Sequence, residues 1–252
     1  MCGIIGLVEP HSDQTSKDKF IQALSRLNHR GPNALDYRIL TSHFKSSLFL
    51  GHTRLSIIDL AEHANQPMVS SDGRYTLIFN GEIYNYKELR KILQDKGYTF
   101  QTSSDTEVLL YAWACWGEAS ISYFNGMFAF ALFDEKEQML YGVRDPFGIK
   151  PFFYAYENHR LVFGSEIKAI LALQNQKQKP YVQAAYDYLV HGKYDHDEHT
   201  FFENIKQLPP GHLIKLNLNA QGHMSIERWH HFNIKPRQLD FNSALKNFAI
   251  SS

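Results

Sequence analysis

Apolar positions along the chain change period several times, and each change marks an element. Cys2–Val8 is an apolar run containing β-branched residues, which predicts a buried strand starting almost at the terminus. Gly3 and Gly6 inside it mark places of close backbone approach. Phe20, Ile21, Leu24 and Leu27 recur at helical spacing and predict a helix over Ser16–Leu27, broken by the turn HRGPN at His29–Asn33. Short strands are expected at Leu48–Leu50 and Thr76–Phe79. A helix over Lys87–Lys96 carries Leu89, Ile92 and Leu93 on one face and stops at Gly97, a left-handed cap. Ser104-Asp105-Thr106-Glu107 has the form of a capping box, and Val108–Trp116 supplies the apolar body of the helix it starts.

Four strand-like runs follow closely: Met127–Asp134, Met139–Arg144, Phe152–Tyr156 and Leu161–Phe163. Their turn residues predict a meander. Ser165 is expected to cap a short helix through Leu173, Gln174–Lys179 to form a polar loop, Pro180–Val190 a helix and Leu213–Leu218 a late strand. From Phe232 onward periodicity is weak, as in a linker, and there is no internal repeat. Strands with helices between them place the chain in the α+β class or in a layered αββα arrangement.

Composition narrows the function classes. The 252 residues carry 26 basic and 26 acidic side chains, so charge gives no argument for nucleic acid or an anionic membrane. No apolar run approaches the roughly 20 residues of a membrane span. MCGIIGLVEP lacks the basic start of a signal peptide. Two cysteines, Cys2 and Cys115, make a disulfide framework unexpected and a reducing cytoplasm the natural compartment. Cys115, inside an apolar helix, reads as a buried inert thiol. The stretch HGKYDHDEH, His191–His199, is rich in ligand-type residues but matches no zinc spacing, so it reads as a solvated loop, and no metal site is expected. His230-His231 reads as surface or linker.

Cys2 is the residue with chemistry in reach. A thiolate is a strong nucleophile. Removal of Met1 would leave a free α-amine on the same residue, whose ordinary pKa of about 7.7–8.0 suits a base near neutrality. Taken alone, a cysteine beside the initiator is read as a small residue tolerated there.

The motifs MCGIIG, RGPN, HTRLSIIDL, QPM, NGEIYNY, SSDTEV, GMFAFALFD, RDPFGIKPFFY and GSEIKA occur in that order over Cys2–Ala169. Weaker echoes follow in LPPGHLIKL, Leu208–Leu216, and Arg228-Trp229. This set resembles the class II glutamine amidotransferases, and within them the glutaminase domain of asparagine synthetases. The resemblance implies an N-terminal nucleophile hydrolase fold: two stacked antiparallel sheets with helices outside. It implies that Cys2 is the nucleophile and that Asn80, by its side-chain amide, and Gly81, by its backbone N–H, form the oxyanion hole. It implies that Arg54 holds the glutamine α-carboxylate, that Glu82 and Asp105 hold its α-ammonium, and that Arg30 and Gly31 line the glutamine site. Each has a plainer reading: Asn-Gly as a hairpin turn, Arg54 as a surface residue beside a strand, Asp105 as a dipole contact in a first helical turn. Asn33 stands where the family commonly has Asp.

The domain is expected to span residues 2–218, with 219–252 leading toward an ATP-dependent synthetase domain. That domain's SGGxDS pyrophosphate loop is not in this sequence. The glutaminase domain itself needs no cofactor; the resemblance assigns ATP and magnesium to the synthetase domain, and admits a homodimer. The expected reaction releases ammonia from glutamine, for asparagine formed from aspartate and ATP. Other class II acceptors, such as an aminosugar phosphate or a purine precursor, fit the SSDTEV and RLSIIDL wording less well. A polysaccharide or secondary-metabolite amidating enzyme and a non-catalytic scaffold stay open. The face meeting a synthetase should expose apolar side chains.

Overall fold

The computed structural model describes residues 1–10, 14–41, 46–59, 61–174, 177–219, 223–232 and 241. The opening apolar run becomes β1 (Gly3–Pro10), which pairs with β3 (Ser46–Arg54), and β3 with β2 (Ala34–Thr41). β8 (Phe153–Glu157) and β9 (Arg160–Gly164) form a hairpin on the other side of β1, with β10 (Lys206–Gln207) at the edge; the order is β10-β8-β9-β1-β3-β2. The second sheet runs β12-β11-β7-β6-β5-β4, from β4 (Met68–Val69), β5 (Tyr75–Ile83), β6 (Gly126–Asp134), β7 (Met139–Arg144), β11 (His212–Asn217) and β12 (Met224–Arg228). Every named pairing is antiparallel.

The period-2 alternation of the strands builds the layers. Ile4 and Val8 of β1 and Leu48 and Leu50 of β3 meet Ile78 of β5, Ala129, Ala131 and Phe133 of β6 and Ile214 between the sheets. The opposite face of the first sheet, with Ile5, Leu7 and Phe49, packs on α1 (Gln14–Ser25) and α4 (Ile167–Leu173) through Phe20, Leu24 and Ile170. The outer face of the second sheet, with Leu77, Phe79, Phe128 and Phe130, packs on α2 (Tyr86–Asp95) and α3 (Asp105–Trp116). The result is an αββα sandwich, the layered arrangement that patterning admits and the resemblance implies. Burying side chains on both faces explains why β1 and β3 read as apolar runs. Gly6 is required here: a Cβ would lie 2.0 Å from the Phe163 ring, which stacks on Phe152.

Four local expectations change. The four-strand meander is two hairpins in different sheets: β6–β7 lies in the second, β8–β9 in the first. The crossing loop between them is organised by two buried charges. Asp145 accepts N–H bonds from Phe147, Ile149, Lys150 and Phe128. Arg144 donates to the carbonyls of Lys150, Gly148 and Leu208. Ser165 does not cap α4; its hydroxyl accepts the Ile4 N–H at 3.0 Å, and Glu166 occupies the N-cap without a side-chain bond. Asn80-Gly81 is not a turn but the interior of β5, opposite Ala129 and Phe128. The second sheet continues past Leu218: β12 pairs with β11 over Met224–Arg228, and Trp229 stacks on Phe128. Most of the expected linker beyond Phe232 lies outside the described residues.

Helix ends follow their signals. Gly97 adopts φ +92° after α2, and its N–H donates to the Gln94 carbonyl. Ser104 caps α3 by accepting the Glu107 N–H at 3.3 Å. The Glu107 carboxylate turns instead to the N–H groups of Gln101 and Thr102, so only one arm of the capping box forms. α5 (Val182–His191) buries none of its residues, and Val182, Leu189 and Val190 are exposed. No described helix is long and apolar enough to cross a membrane.

Candidate active site

The start of β1, the end of β3, the middle of β5 and the N-terminus of α3 converge on one cavity of about 210 Å³. Its walls include Cys2, Arg54, Asn80, Gly81, Glu82 and Asp105. These are six of the eight residues singled out by the sequence, brought together from over a hundred positions of chain. A larger polar cavity of about 650 Å³, between α1 and the β8–β9 turn, is lined by residues such as Glu9, Lys19 and Arg160 and has no cysteine in its wall.

Cys2 precedes the first ladder pair, Gly3 with Thr53. Its sulfur receives the Leu55 backbone N–H at 3.4 Å. Burial pushes the thiol above its ordinary pKa, and Asp105 adds to that; the Leu55 N–H, the chain terminus and Arg54 pull the other way. The resting group is therefore a protonated thiol, and any attack by sulfur needs a base beside it. Met1 also lines the cavity and, at 59% exposed, is accessible from solvent.

Asn80 is buried, and its side-chain Nδ2 has no hydrogen-bond partner among the described residues. An unpaired buried donor costs about 1–3 kcal/mol, so one held at a cavity wall marks a place prepared for an acceptor. Gly81 is required by close packing: a Cβ there would lie 2.3 Å from the Met127 carbonyl oxygen.

Arg54 reaches the cavity from the end of β3. Its guanidinium donates to the carbonyl of Ala61 at 2.8 Å, to Asn65 Oδ1 at 2.6 Å and to the carbonyl of Asp59. It thereby orders the wall containing Ile57, Ile58 and Asp59. Among the described residues three of its five donors are used, which leaves two.

Asp105 opens α3 and is buried, with Oδ2 accepting the Ile83 N–H at 3.0 Å. Burial raises its pKa to about 6, against the pull of that bond, and Glu82 adds a smaller upward push. The dipole-contact reading and the site reading are compatible: the helix start favours an anion, and burial leaves that anion short of a counter-charge.

Arg30 and Gly31 do not line this cavity. Arg30 lies behind Cys2: its Nε donates to the Cys2 carbonyl at 2.9 Å and its Nη1 to Glu166 at 3.0 Å. Gly31 packs where a Cβ would lie 2.3 Å from the Thr53 carbonyl oxygen. The HRGPN turn thus backs the end of β3 rather than facing the cavity. Asn33 keeps a structural part, its Oδ1 accepting the Ser56 N–H at 3.0 Å.

Several further wall residues carry no chemical signal of their own in the sequence. Gln66 is buried, bonds the Phe79 N–H through Oε1 at 2.6 Å and reaches Thr106 through Nε2. Lys150 is buried at the end of the crossing loop and also lines the cavity. The motifs QPM and RDPFGIKPFFY contained both residues, but composition alone gave them no chemical role. Among the described residues, no group of three or more His, Cys, Asp or Glu is placed to hold a metal ion.

A family profile described as "Glutamine amidotransferase domain" matches residues 1–230. Asparagine synthetase [glutamine-hydrolyzing] 1 of Bacillus subtilis is 34% identical over 249 residues, 98% of this chain and 38% of that protein. Asparagine synthetase [glutamine-hydrolyzing] 3 of the same organism is 34% identical over 238 residues, 93% of this chain and 37% of that protein. The chain thus spans well under half the length of these relatives. Among solved structures, glutamine phosphoribosylpyrophosphate amidotransferase from B. subtilis superposes with a TM-score of 0.65 at 21% identity, over 91% of this chain and 49% of that one, a likeness of fold. The chain belongs to the glutamine amidotransferase domain family, on the two-sheet N-terminal nucleophile hydrolase fold.

Proposed function

We propose that this domain hydrolyses the side-chain amide of glutamine with Cys2 as nucleophile, once Met1 is removed. The observation that carries the reading is the partnerless Asn80 amide on the wall it shares with the Cys2 thiol. The α-amine of Cys2 takes the thiol proton, and sulfur adds to the amide carbon. The Asn80 amide and the Gly81 N–H receive the oxyanion; such preorganised donors contribute about 3–4 kcal/mol each to a transition state. The ammonium of Cys2 then protonates the leaving nitrogen, the carbon–nitrogen bond breaks and ammonia departs. Water, deprotonated by the same amine, hydrolyses the γ-glutamyl thioester to glutamate and restores the thiol. The free donors of Arg54 take the α-carboxylate, and Glu82 with Asp105 takes the α-ammonium, selecting a free amino acid rather than any amide.

The acceptor of the ammonia is aspartate, on an ATP- and magnesium-dependent synthetase domain or subunit, a reading supported by relatives that are asparagine synthetases more than twice as long as the matched region. The exposed apolar side chains of α5 are in keeping with cover by such a partner. The test is a direct assay: glutamine given to the purified chain should yield glutamate and ammonia in equal amounts, and Cys2→Ala should yield neither. With aspartate and ATP added, the chain alone should make no asparagine. Asparagine formation by this chain, or turnover in Cys2→Ala, would overturn the reading.

A further inference from the structure

Cys2 poses a mechanical problem. A chain-terminal residue has no preceding peptide to fix it, and the sheet ladder begins only at Gly3. Its backbone must therefore be held through its own carbonyl. In this structure the group on that carbonyl is the Arg30 guanidinium, at 2.9 Å.

Arg30 is in turn held by Glu166. The Glu166 Oε1 accepts from Arg30 Nη1 at 3.0 Å and lies 2.8 Å from His29 Nε2, and Oε2 is 3.0 Å from Lys168 Nζ. The Arg30 side chain is 9% exposed and that of Glu166 24% exposed, so the pair is largely shielded from solvent. The preceding residue works on the same strand. Ser165 accepts the Ile4 N–H through its hydroxyl at 3.0 Å, and its own N–H donates to the Ile4 carbonyl at 2.9 Å. The Ser165-Glu166 pair thus grips β1 at Ile4 directly and Cys2 through Arg30. A guanidinium with one fork on a carboxylate and another donor on a carbonyl has its direction fixed by the carboxylate.

We propose that Glu166 is a positioning residue for the nucleophile: it aims Arg30, and Arg30 holds the Cys2 carbonyl so that sulfur and α-amine keep one orientation toward the cavity. Glu166 touches neither substrate nor sulfur. This rests on the glutaminase reading and adds a residue that the resemblance did not assign. Loss of the grip should slow attack by sulfur without weakening the binding of glutamine, which is held from the opposite wall.

The experiment is the inactivation of the purified chain by 6-diazo-5-oxo-norleucine, an electrophilic glutamine analogue, with the saturating rate and the half-saturating concentration measured separately. Glu166→Gln should lower the saturating rate about tenfold or more and leave the half-saturating concentration within about twofold, and Glu166→Asp should recover part of the rate. Arg30→Lys, which keeps a charge for Glu166 but cannot span both partners, should show the same split; it also decides the matter if Glu166→Gln fails to fold. A second readout is independent of rate. The chain has two cysteines, so carbonyl-¹³C-cysteine gives two resonances, and Glu166→Gln should move that of Cys2 and leave that of Cys115. An unchanged rate and unmoved Cys2 resonance would overturn the proposal, as would equal losses of rate and affinity. Failure of the wild-type chain to react at Cys2 would instead bring down the glutaminase reading itself.

Discussion

The backbone N–H of Leu55 points at the sulfur of Cys2 from 3.4 Å, across the gap between the start of β1 and the end of β3. A backbone donor cannot turn away as a side chain can, so the sulfur has a fixed direction in the resting state. The same contact favours the thiolate once a base removes the proton, while burial opposes ionisation. Cys2→Ser keeps the geometry but offers a hydroxyl far harder to ionise. We expect turnover to fall by at least about a thousandfold while glutamine still binds, checked by steady-state assay and calorimetry.

Asn80 gives the second prediction. Asn80→Ala removes the donor without touching the nucleophile. Turnover should fall by about a hundred- to a thousandfold, as for other oxyanion donors, with the Michaelis constant nearly unchanged. A variant that lost only affinity would show that Asn80 holds the ground state instead.

Asp105 gives the pH dependence. Burial raises its pKa to about 6 in the empty cavity. Only the ionised carboxylate pairs with an α-ammonium. Below about pH 6 a proton must leave before glutamine binds, and the Michaelis constant should climb about tenfold per pH unit. Above pH 6 it should be flat with respect to this group. Asp105→Asn should raise the Michaelis constant and abolish that acid limb. The same shift has a consequence for stability. A carboxyl with a raised folded pKa favours the folded state when protonated, and that advantage disappears as pH rises from its ordinary 3.8 through about 6. Asp105→Asn should therefore stabilise the empty chain at pH 8, read as a higher melting temperature.

Gly31 lies behind the site. Gly31→Ala would set a Cβ 2.3 Å from the Thr53 carbonyl oxygen, against backbone that cannot shift cheaply. We expect a loss of about 1–3 kcal/mol, read by denaturant unfolding. Since the HRGPN turn also carries Arg30, the variant should lose turnover more steeply than affinity.

How far the sequence reaches is clear from particular residues. The layers were legible because Ile4, Leu48 and Ile78 sit in runs long enough to show they are buried on both faces. β2 was not, since Ala34–Thr41 leaves every one of its residues partly or fully exposed and carries no apolar run. The meander misled because β6, β7, β8 and β9 are consecutive, and only the buried Arg144 and Asp145 reveal that the chain changes sheets between them. Six candidate residues picked out through their motifs come together on one cavity. Arg30 was misplaced because a motif records that a residue belongs near the site, not which side of the nucleophile it occupies. Gln66 and Glu166 make long-range contacts, 40 positions to Thr106 and 136 positions to Arg30, and Lys150 meets the cavity only through the fold, so no local spacing announces these three.

The central claim is that Cys2, as the N-terminal residue, attacks a glutamine-shaped substrate. Intact-mass spectrometry of the purified chain, with and without 6-diazo-5-oxo-norleucine, tests it most directly. The account requires a mass lacking Met1 that gains a single adduct on Cys2, an adduct absent from Cys2→Ala. A chain that retains Met1, or that loses it and takes no adduct, would contradict the account.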